Sequence, residues 1–448
     1  MRIEIKDKKN FISMFNEIFH KNKISTINGI TIDSRKVEEN DIYFPIIGEN
    51  HDGHDYIQDV IKNGAQFSFS EKNSSVFSKK VILTKSINNL IKSLASKWQK
   101  RSNAKIIGIT GSNGKTTTKE LLYAFLSKKY KCSKTKGNFN SLIGLPFTFL
   151  NSKIDDDYCI LEYGASKPNE IELLCEVIKP DYSLITNISE SHISNYKSMN
   201  ELVKTKTAIY RSLHDNDIAF INNDIKYFKN LMLSCKKLKF GFNNKKDNIS
   251  TAEKISIENK KYFKILESQF LIPDSITHLE TNILSAIIIA DYLKIEDSEI
   301  NKALKEYTVP SGRGNIISKN EFKIIDDCYN ANPASVNLAI KRLNNIKTKG
   351  KKIFVFGDML ELGKKSIRLH QIISDIINES KIDVLFTYGE YSQITFKNID
   401  QKKINVFHYK KDAFDKLKKH VYSIAKRNDI IYLKGSRSMY LERIYKDI

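Results

Sequence analysis

Residues 106–120 read IIGITGSNGKTTTKE. The β-branched run Ile106, Ile107 and Ile109 predicts a strand, Gly111-Ser112-Asn113-Gly114 a turn, and Lys119 to Lys128 a helix. Strand, glycine-bearing loop and helix in that order build a phosphate site. Gly111 and Gly114 have no Cβ, so backbone N–H groups can close around phosphate oxygens. The helix N-terminus adds partial positive charge. Lys115 is spaced to reach the β- and γ-phosphates and the Thr116 hydroxyl to hold Mg²⁺, with Ser112, Asn113 and Thr117 completing the loop. The stretch departs from strict GxxxxGK[ST], because Ile109 stands where the first glycine belongs and the glycines fall at Gly108 and Gly111. The expected ligand is ATP or GTP.

The surrounding chain sets limits on this nucleotide-binding protein. Its 448 residues, 41% of them hydrophobic, suffice for two or three domains. No run approaches the ~18 apolar residues that span a bilayer, so membrane insertion is not expected. The start MRIEIKDKKN has no apolar core of a secretory leader. Cys132, Cys159, Cys175, Cys235 and Cys328 are scattered without a CxxC pair, as expected of reduced thiols in a cytoplasmic protein. The net charge of +21 suggests anionic partners, either nucleic acid or phosphorylated small molecules. The excess lysines are spread along the chain, with no zinc finger, RNP-type aromatic motif or basic tail. They read as solvated helix faces, and nucleic acid is not the expected partner.

Working outward, the expected fold is α/β in three domains. Residues 1–85 form a small α/β unit whose polar loops suit a phosphorylated substrate. Residues 86–312 alternate strands (YCILEYGAS, DYSLITNIS, DIAFINND) with helices, as in a parallel-sheet, P-loop-type ATPase domain. Residues 313–448 start a new alternation (FKIIDDCY, KKIFVFGDM, VLFTYG, DIIYLKGS), as in a Rossmann-like doubly wound sheet whose ligands gather beyond the strand C-termini.

Several residues stand where chemistry is expected. Glu162 closes the strand YCILEYGAS and reads either as a hard-cation ligand or as a solvated loop acid. His192 follows another strand end, and a lone His there is more often structural, since nitrogen suits Mg²⁺ poorly. Lys206 lies on a helix among other lysines and has no distinction by itself. Arg313, in VPSGRGNI at the junction of the second and third regions, reads either as a γ-phosphate clamp acting on domain closure or as a linker arginine. In IIDDCYNANPAS, Asp326, Asp327, Asn330 and Asn332 offer groups for a ribose or substrate, and Pro333 suits a helix start. FGDMLELG has the same strand-to-polar-loop form. Lys434 and Arg437, in LKGSRSMYLE, suit an anion. Ser34, Arg35 and Lys36, with Asp52 and Gly53 in GENHDGHDY, suit a phosphorylated substrate; His51 and His54 alone are a weak metal signal.

These motifs, in this order, resemble the Mur ligase family of peptidoglycan synthesis over nearly the whole chain. TIDSRKV with DIYFPIIGENHDGHDYI is similar to the family's N-terminal substrate domain, and GITGSNGKTTTKE to its ATP loop, which explains the glycine spacing. TKGNFNSLIGLP, LEYGAS and TNISESHI are similar to its central motifs. DDCYNANPAS, FGDMLELG and LKGSRS point to the branch that adds a dipeptide. The resemblance implies ATP-dependent amide formation between UDP-N-acetylmuramoyl-tripeptide and D-alanyl-D-alanine through an acyl phosphate, by a cytoplasmic monomer. It implies that Thr116 and Glu162 bind the Mg²⁺ shared with ATP, that His192 helps hold a second Mg²⁺, and that Lys206 is carbamylated. It implies that Arg313 reaches the γ-phosphate, that His278 and Asn282 lie near the adenine, and that Asp327 meets the ribose. Catalytic roles fall on Lys115, Lys206, Arg313 and His192, and substrate contacts on Ser34, Arg35, Asp52, Gly53, Asn138, Asn140, Tyr329, Asn330, Asn332 and Lys434. The chain departs from the family pattern at Ala208, Ser141 and Leu279.

Overall fold

The computed structural model describes residues 1–48, 51–73, 79–228, 231–243, 250–319 and 321–446. Glu49 and Asn50 of GENHDGHDY, and residues 74–78 of the polar patch after it, lie outside the described residues.

Three sheets follow one another along the chain. The first runs β1 (Arg2–Glu4), β2 (Gly29–Thr31), β3 (Ile42–Tyr43), β4 (Phe67–Ser70) and β5 (Val81–Leu83), in that order across the sheet, with only β1 antiparallel. Helix Lys8–Ile18 covers it with Phe11, Met14 and Phe15. Helix Ile87–Arg101 carries Ile87, Ile91, Leu94, Ala95 and Trp98 on one buried stripe, the spacing of an amphipathic helix. Its Trp98 packs on Phe11 and donates to Ser152 Oγ at 3.1 Å, so this helix joins the core of the first sheet to that of the second.

The second sheet has nine strands: β6 (Lys105–Thr110), β7 (Cys132–Lys134), β8 (Tyr158–Glu162), β9 (Tyr182–Ile185), β10 (Ile218–Asn222), β11 (Lys236–Gly241), β12 (Ser250–Ile257), β13 (Lys260–Ile265) and β14 (Ser268–Ile272). Across the sheet the order is β14-β13-β12-β11-β10-β9-β6-β8-β7. From β7 to β12 every pairing is parallel, and β12 to β14 add an antiparallel meander. That meander, residues 250–272, is an extension the sequence reading did not separate, because its alternating Lys and apolar residues lack strong turn signals. Helix Glu280–Tyr292 is apolar almost all round and is buried from Ile283 to Ala290, against the phosphate-loop helix Lys115–Leu126.

The third sheet runs β15 (Asn315–Lys319), β16 (Phe322–Asp327), β20 (Ile430–Lys434), β17 (Lys352–Gly357), β18 (Val384–Tyr388) and β19 (Asn405–Tyr409) across its width, with only β15 antiparallel. Four of these strands are those read from the sequence; β15 and β19 were not. Strands β18 and β20 are buried throughout and β17 from Ile353 onward, and their largely apolar runs are those expected of a parallel sheet covered on both faces. Among the described residues no helix is long and apolar enough to cross a membrane.

Candidate active site

Parallel pairing brings the phosphate loop and its neighbours to one sheet edge. Ile109 of β6 is in register with Glu162 at the end of β8 and with Leu184 near the end of β9. The loops after β6, β8 and β9 therefore emerge side by side, as the crevice rule for α/β sheets requires. The observed helix begins at Lys115, four residues earlier than the sequence suggested. Gly114 precedes it with φ +80°, and a Cβ there would lie 2.3 Å from Asn282 Nδ2. Gly111 has φ +144°, and a Cβ there would lie 2.1 Å from Thr186 Oγ1. Both positions thus exclude a side chain by conformation and by space.

The loop is braced from behind. Thr186 Oγ1 donates to Asn113 O at 2.5 Å, Asn187 Oδ1 accepts from Asn113 N at 2.9 Å, and Ser112 Oγ donates to Ser189 O at 2.9 Å. Asn282 Nδ2 donates to Thr118 Oγ1 at 2.9 Å and to Gly114 O at 3.3 Å, so it holds the loop from the buried helix. Thr117 is buried in the helix. His278 lies at the turn before helix Glu280–Tyr292, with Nε2 buried and without a hydrogen-bond partner. Burial, aided by Arg342, pushes its pKa down to about 3, so the ring is neutral.

Among the described residues three lysines are buried, Lys119, Lys206 and Lys434, and all three belong to this region. Lys119 Nζ donates to Thr135 O at 2.7 Å and sits 3.0 Å from Glu120 Oε1 and 3.2 Å from Glu162 Oε1. Sequence reasoning missed it, although its place four residues after Lys115, one helical turn on, was a signal. Glu162 Oε2 accepts from Asn140 Nδ2 at 3.3 Å. Lys206, on helix Met199–Arg211, has its pKa pushed down to about 7 by burial and by the Lys115 ammonium, with Glu170 opposing. Lys115 donates to Gly111 O at 2.6 Å, and burial pushes it down to about 8, opposed by Glu162 and reinforced by Arg313.

The third sheet closes the site from above. Arg313 Nη2 donates to Thr116 Oγ1 at 2.8 Å. Asn332 caps helix Pro333–Asn345 through Ser335, and its Nδ2 donates to Asn113 Oδ1 at 2.7 Å. His192 has φ +51° and places Nδ1 2.5 Å from Glu361 Oε2 in FGDMLELG. Asp327 and Lys434, register partners at the ends of β16 and β20, pair at 3.0 Å, and Lys434 also donates to Asn330 O at 2.8 Å. A cleft of ≈ 450 Å³ lies between the two sheets, lined by Thr116, Lys119, Asn138, Arg313, Tyr329 and Arg437 among others. A larger hollow of ≈ 590 Å³, lined by Phe322, Lys323 and Ile430, lies at the opposite strand ends of the third sheet, away from these groups.

The first sheet's candidates take local roles. Ser34 opens the short turn Ser34–Lys36, and the exposed Arg35 pairs with Asp33 at 2.9 Å. Asp52 caps the turn Gly53–Tyr56 and binds His54 Nδ1 at 2.6 Å and Lys72 Nζ at 2.5 Å. A Cβ on Gly53 would lie 2.7 Å from Ile46 N, which requires glycine there. His54 Nε2 accepts from Glu71 N at 3.1 Å, so both its ring nitrogens serve the fold. Among the described residues no three His, Cys, Asp or Glu side chains gather as a metal cage.

Three family models match consecutive stretches: the Mur ligase family catalytic domain over residues 26–104, the Mur ligase middle domain over 109–290, and the Mur ligase glutamate ligase domain over 312–437. UDP-N-acetylmuramoyl-tripeptide–D-alanyl-D-alanine ligase of Bacillus subtilis is 32% identical over 433 residues, covering 95% of this chain and 93% of its own. The ligase of the same name from Buchnera aphidicola subsp. Baizongia pistaciae is 34% identical, covering 94% and 92%. The structure of MurF ligase from Thermotoga maritima in complex with ADP superposes with a TM-score of 0.78 at 27% identity, covering 93% and 95%. MurF from Acinetobacter baumannii shares the fold, with a TM-score of 0.85 at 24% identity and 99% coverage of each chain. Identity at this level over almost the full length, with three family models matched in turn along the chain, places this chain in the Mur ligase family.

Proposed function

We propose that this chain is an ATP-dependent amide ligase that joins D-alanyl-D-alanine to UDP-N-acetylmuramoyl-tripeptide, giving the UDP-linked pentapeptide for peptidoglycan synthesis. The observation that carries this reading is Arg313 of the third segment lying on Thr116 of the phosphate loop, 2.8 Å away. A γ-phosphate site made from two segments is complete only when they meet, which suits a reaction whose reactants arrive on separate domains. The relatives of that name, and the ADP-bound relative, support the same assignment. The two segments that line the cleft belong to one chain, so a monomer suffices, and we assign the protein to the cytoplasm.

In the proposed reaction the tripeptide's terminal carboxylate oxygen attacks the γ-phosphorus of ATP. The bond to the β–γ bridging oxygen breaks, ADP leaves, and an acyl phosphate remains. The dipeptide amine then attacks the acyl carbon, a tetrahedral intermediate forms, and phosphate leaves as the amide forms and the amine loses its proton. Lys115 and Arg313 neutralise charge on the transferring phosphoryl group. Closure of the third segment excludes water, which would hydrolyse the acyl phosphate. Asp327 is assigned to the ribose, and His278 and Asn282 to the adenine side. Ser34, Arg35, Asp52 and Gly53 are assigned to the UDP-sugar. Asn138, Asn140, Tyr329, Asn330, Asn332 and Lys434 are assigned to the peptide reactants.

The donor set fits Mg²⁺. Glu162 Oε1 is buried with no hydrogen bond, only the Lys119 ammonium nearby, and hard carboxylate and hydroxyl oxygens suit this ion. Thr116 and Glu162 would hold one ion with the ATP phosphates. With Nδ1 of His192 on Glu361, Nε2 is the nitrogen left for a second ion, an arrangement in which a carboxylate orients the ring. Bound Mg²⁺ would supply Lewis-acid stabilisation of phosphoryl charge. Lys206, an amine with its pKa lowered to about 7 beside Lys115, is suited to carbamylation, which needs a neutral amine and would turn a mutually repelling cation into an anion.

The test is phosphate release with ATP, Mg²⁺, UDP-N-acetylmuramoyl-tripeptide and D-alanyl-D-alanine, omitting each in turn. Release that needs both peptide substrates, with the pentapeptide product seen by mass, is expected. Release indifferent to them overturns the reading.

A further inference from the structure

Most backbone ties of the Arg313 loop run to the third segment, while Arg313 N donates to Pro310 O at 3.1 Å and its Nη2 reaches Thr116 of the second. Gly312 and Gly314, on either side of it, have φ of +76° and +91°. Gly312 N donates to Asp326 Oδ2 at 2.8 Å and Gly314 N donates to Asp326 O at 2.7 Å, so one residue of β16 grips both flanks. Arg342 Nη1 donates to Gly314 O at 2.9 Å, and Tyr329 N donates to Gly312 O at 3.0 Å. Asp326 is buried, and its Oδ2 also accepts from Tyr445 Oη at 2.7 Å. The Arg313 guanidinium lies 3.8 Å above the centroid of the Tyr329 ring.

We infer that Asp326 and Tyr329 are positioning residues for Arg313. They make it a preset arm that the third segment carries as a unit, with the turning point of closure lying before Ser311 rather than at the arginine. This inference rests on the proposed assignment of Arg313 to the γ-phosphate, and it gives Tyr329 a role other than peptide contact. A stacked guanidinium keeps its plane fixed while its N–H edge stays free to meet an anion, which a lone flexible side chain does not do. The glycines are needed because the positive-φ turn aims the side chain out of the loop, and a Cβ on Gly312 would lie 3.2 Å from Tyr329 Cβ. The ring face carries this function; the hydroxyl does not.

The experiment is titration calorimetry of the full chain with ADP and, separately, with the non-hydrolysable β,γ-imido analogue of ATP. The variants are Arg313→Ala, Tyr329→Leu, Tyr329→Phe, Asp326→Asn and the Arg313→Ala/Tyr329→Leu pair. Arg313→Ala should weaken the analogue selectively. Tyr329→Leu should weaken the analogue about three- to tenfold, the range of a partly desolvated cation–π contact, and leave ADP within about twofold. Asp326→Asn should act in the same direction, and Tyr329→Phe should restore analogue affinity. The pair should be no weaker than Arg313→Ala alone. Equal weakening of ADP and analogue by Tyr329→Leu, additive losses in the pair, or a raised KM for the dipeptide with nucleotide binding unmoved overturns the inference. Because the titration needs no turnover, its failure is distinct from failure of the ligase reading, which the omission assay decides.

Discussion

At the scale of single residues, the site is a set of cations held at unusual cost. Burial displaces both Lys115 and Lys206 downward from their ordinary range, with Arg313 adding to the shift of Lys115 and Lys115 to that of Lys206. Lys115→Ala should lower turnover by two orders of magnitude or more, the scale of losing a charged phosphoryl contact, with the fold intact. Near-normal phosphate release from that folded variant would remove Lys115 from the mechanism. Lys206 gives a pH signature. Its pKa in the folded chain is about 7, against 10.5 unfolded. The unfolded state therefore binds more protons between those values, and stability rises with pH across that window. In CO₂-free buffer Lys206→Met should be more stable than the unmodified chain by a few kcal/mol at pH 6, narrowing toward pH 10. Adding bicarbonate near pH 8 should narrow the gap further by carbamylating the neutral amine. Melting curves for both chains check this, and a gap independent of pH would refute it.

At the scale of elements, the phosphate loop works because its neighbours leave it no alternative shape. Gly114 combines φ +80° with Asn282 Nδ2 at 2.3 Å from any Cβ. Gly114→Ala should therefore distort the loop and weaken ADP binding at least tenfold, measured by calorimetry, a loss of ~1.4 kcal/mol or more. The helix Pro333–Asn345 shows the opposite economy, since one residue does two things. Asn332 caps it and also reaches Asn113. Asn332→Ala should cost about 1 kcal/mol of stability from the lost cap and lower activity as well. Asn332→Ser, which keeps the cap but cannot reach Asn113, separates the two: stability should return and activity should not.

At the scale of the whole molecule, the third segment docks on the second through a few polar contacts. The Lys365–Glu190 pair, 3.1 Å apart, is exposed at both ends and is worth little in water. His192–Glu361 is stronger placed, because Ser194 N and Oγ both also donate to Glu361 O, at 3.4 and 3.0 Å, and Ile193 packs into the third segment's core. Glu361→Ala should thus raise the fraction of open molecules, seen as a larger radius of gyration by small-angle scattering, while Lys365→Ala should leave the scattering unchanged. The reverse ranking would place the docking energy in the surface ion pair. Among the described residues only three lysines are wholly buried, and the others keep at least part of their surface in water.

The sequence by itself determined the phosphate loop, the β8 and β9 strand ends beside it and four strands of the third sheet. These are local patterns: β-branched runs, glycines at tight turns and polar residues past strand ends. Family resemblance took a side on Arg313, which the residues left between phosphate clamp and linker, and added Lys206 and His192, which they left as a helix lysine and a structural histidine. Only the tertiary structure decided that Lys119 sits on Glu162, that Lys206 is buried within the field of Lys115, that Asn282 braces Gly114 and that Glu361 holds His192. It also decided that Asp326 and Tyr329 grip the loop of Arg313. These pairs lie from 13 to 169 residues apart, and a charged side chain looks the same in sequence whether it faces water or another cation. Burial, which makes the difference, is a property of the packed chain.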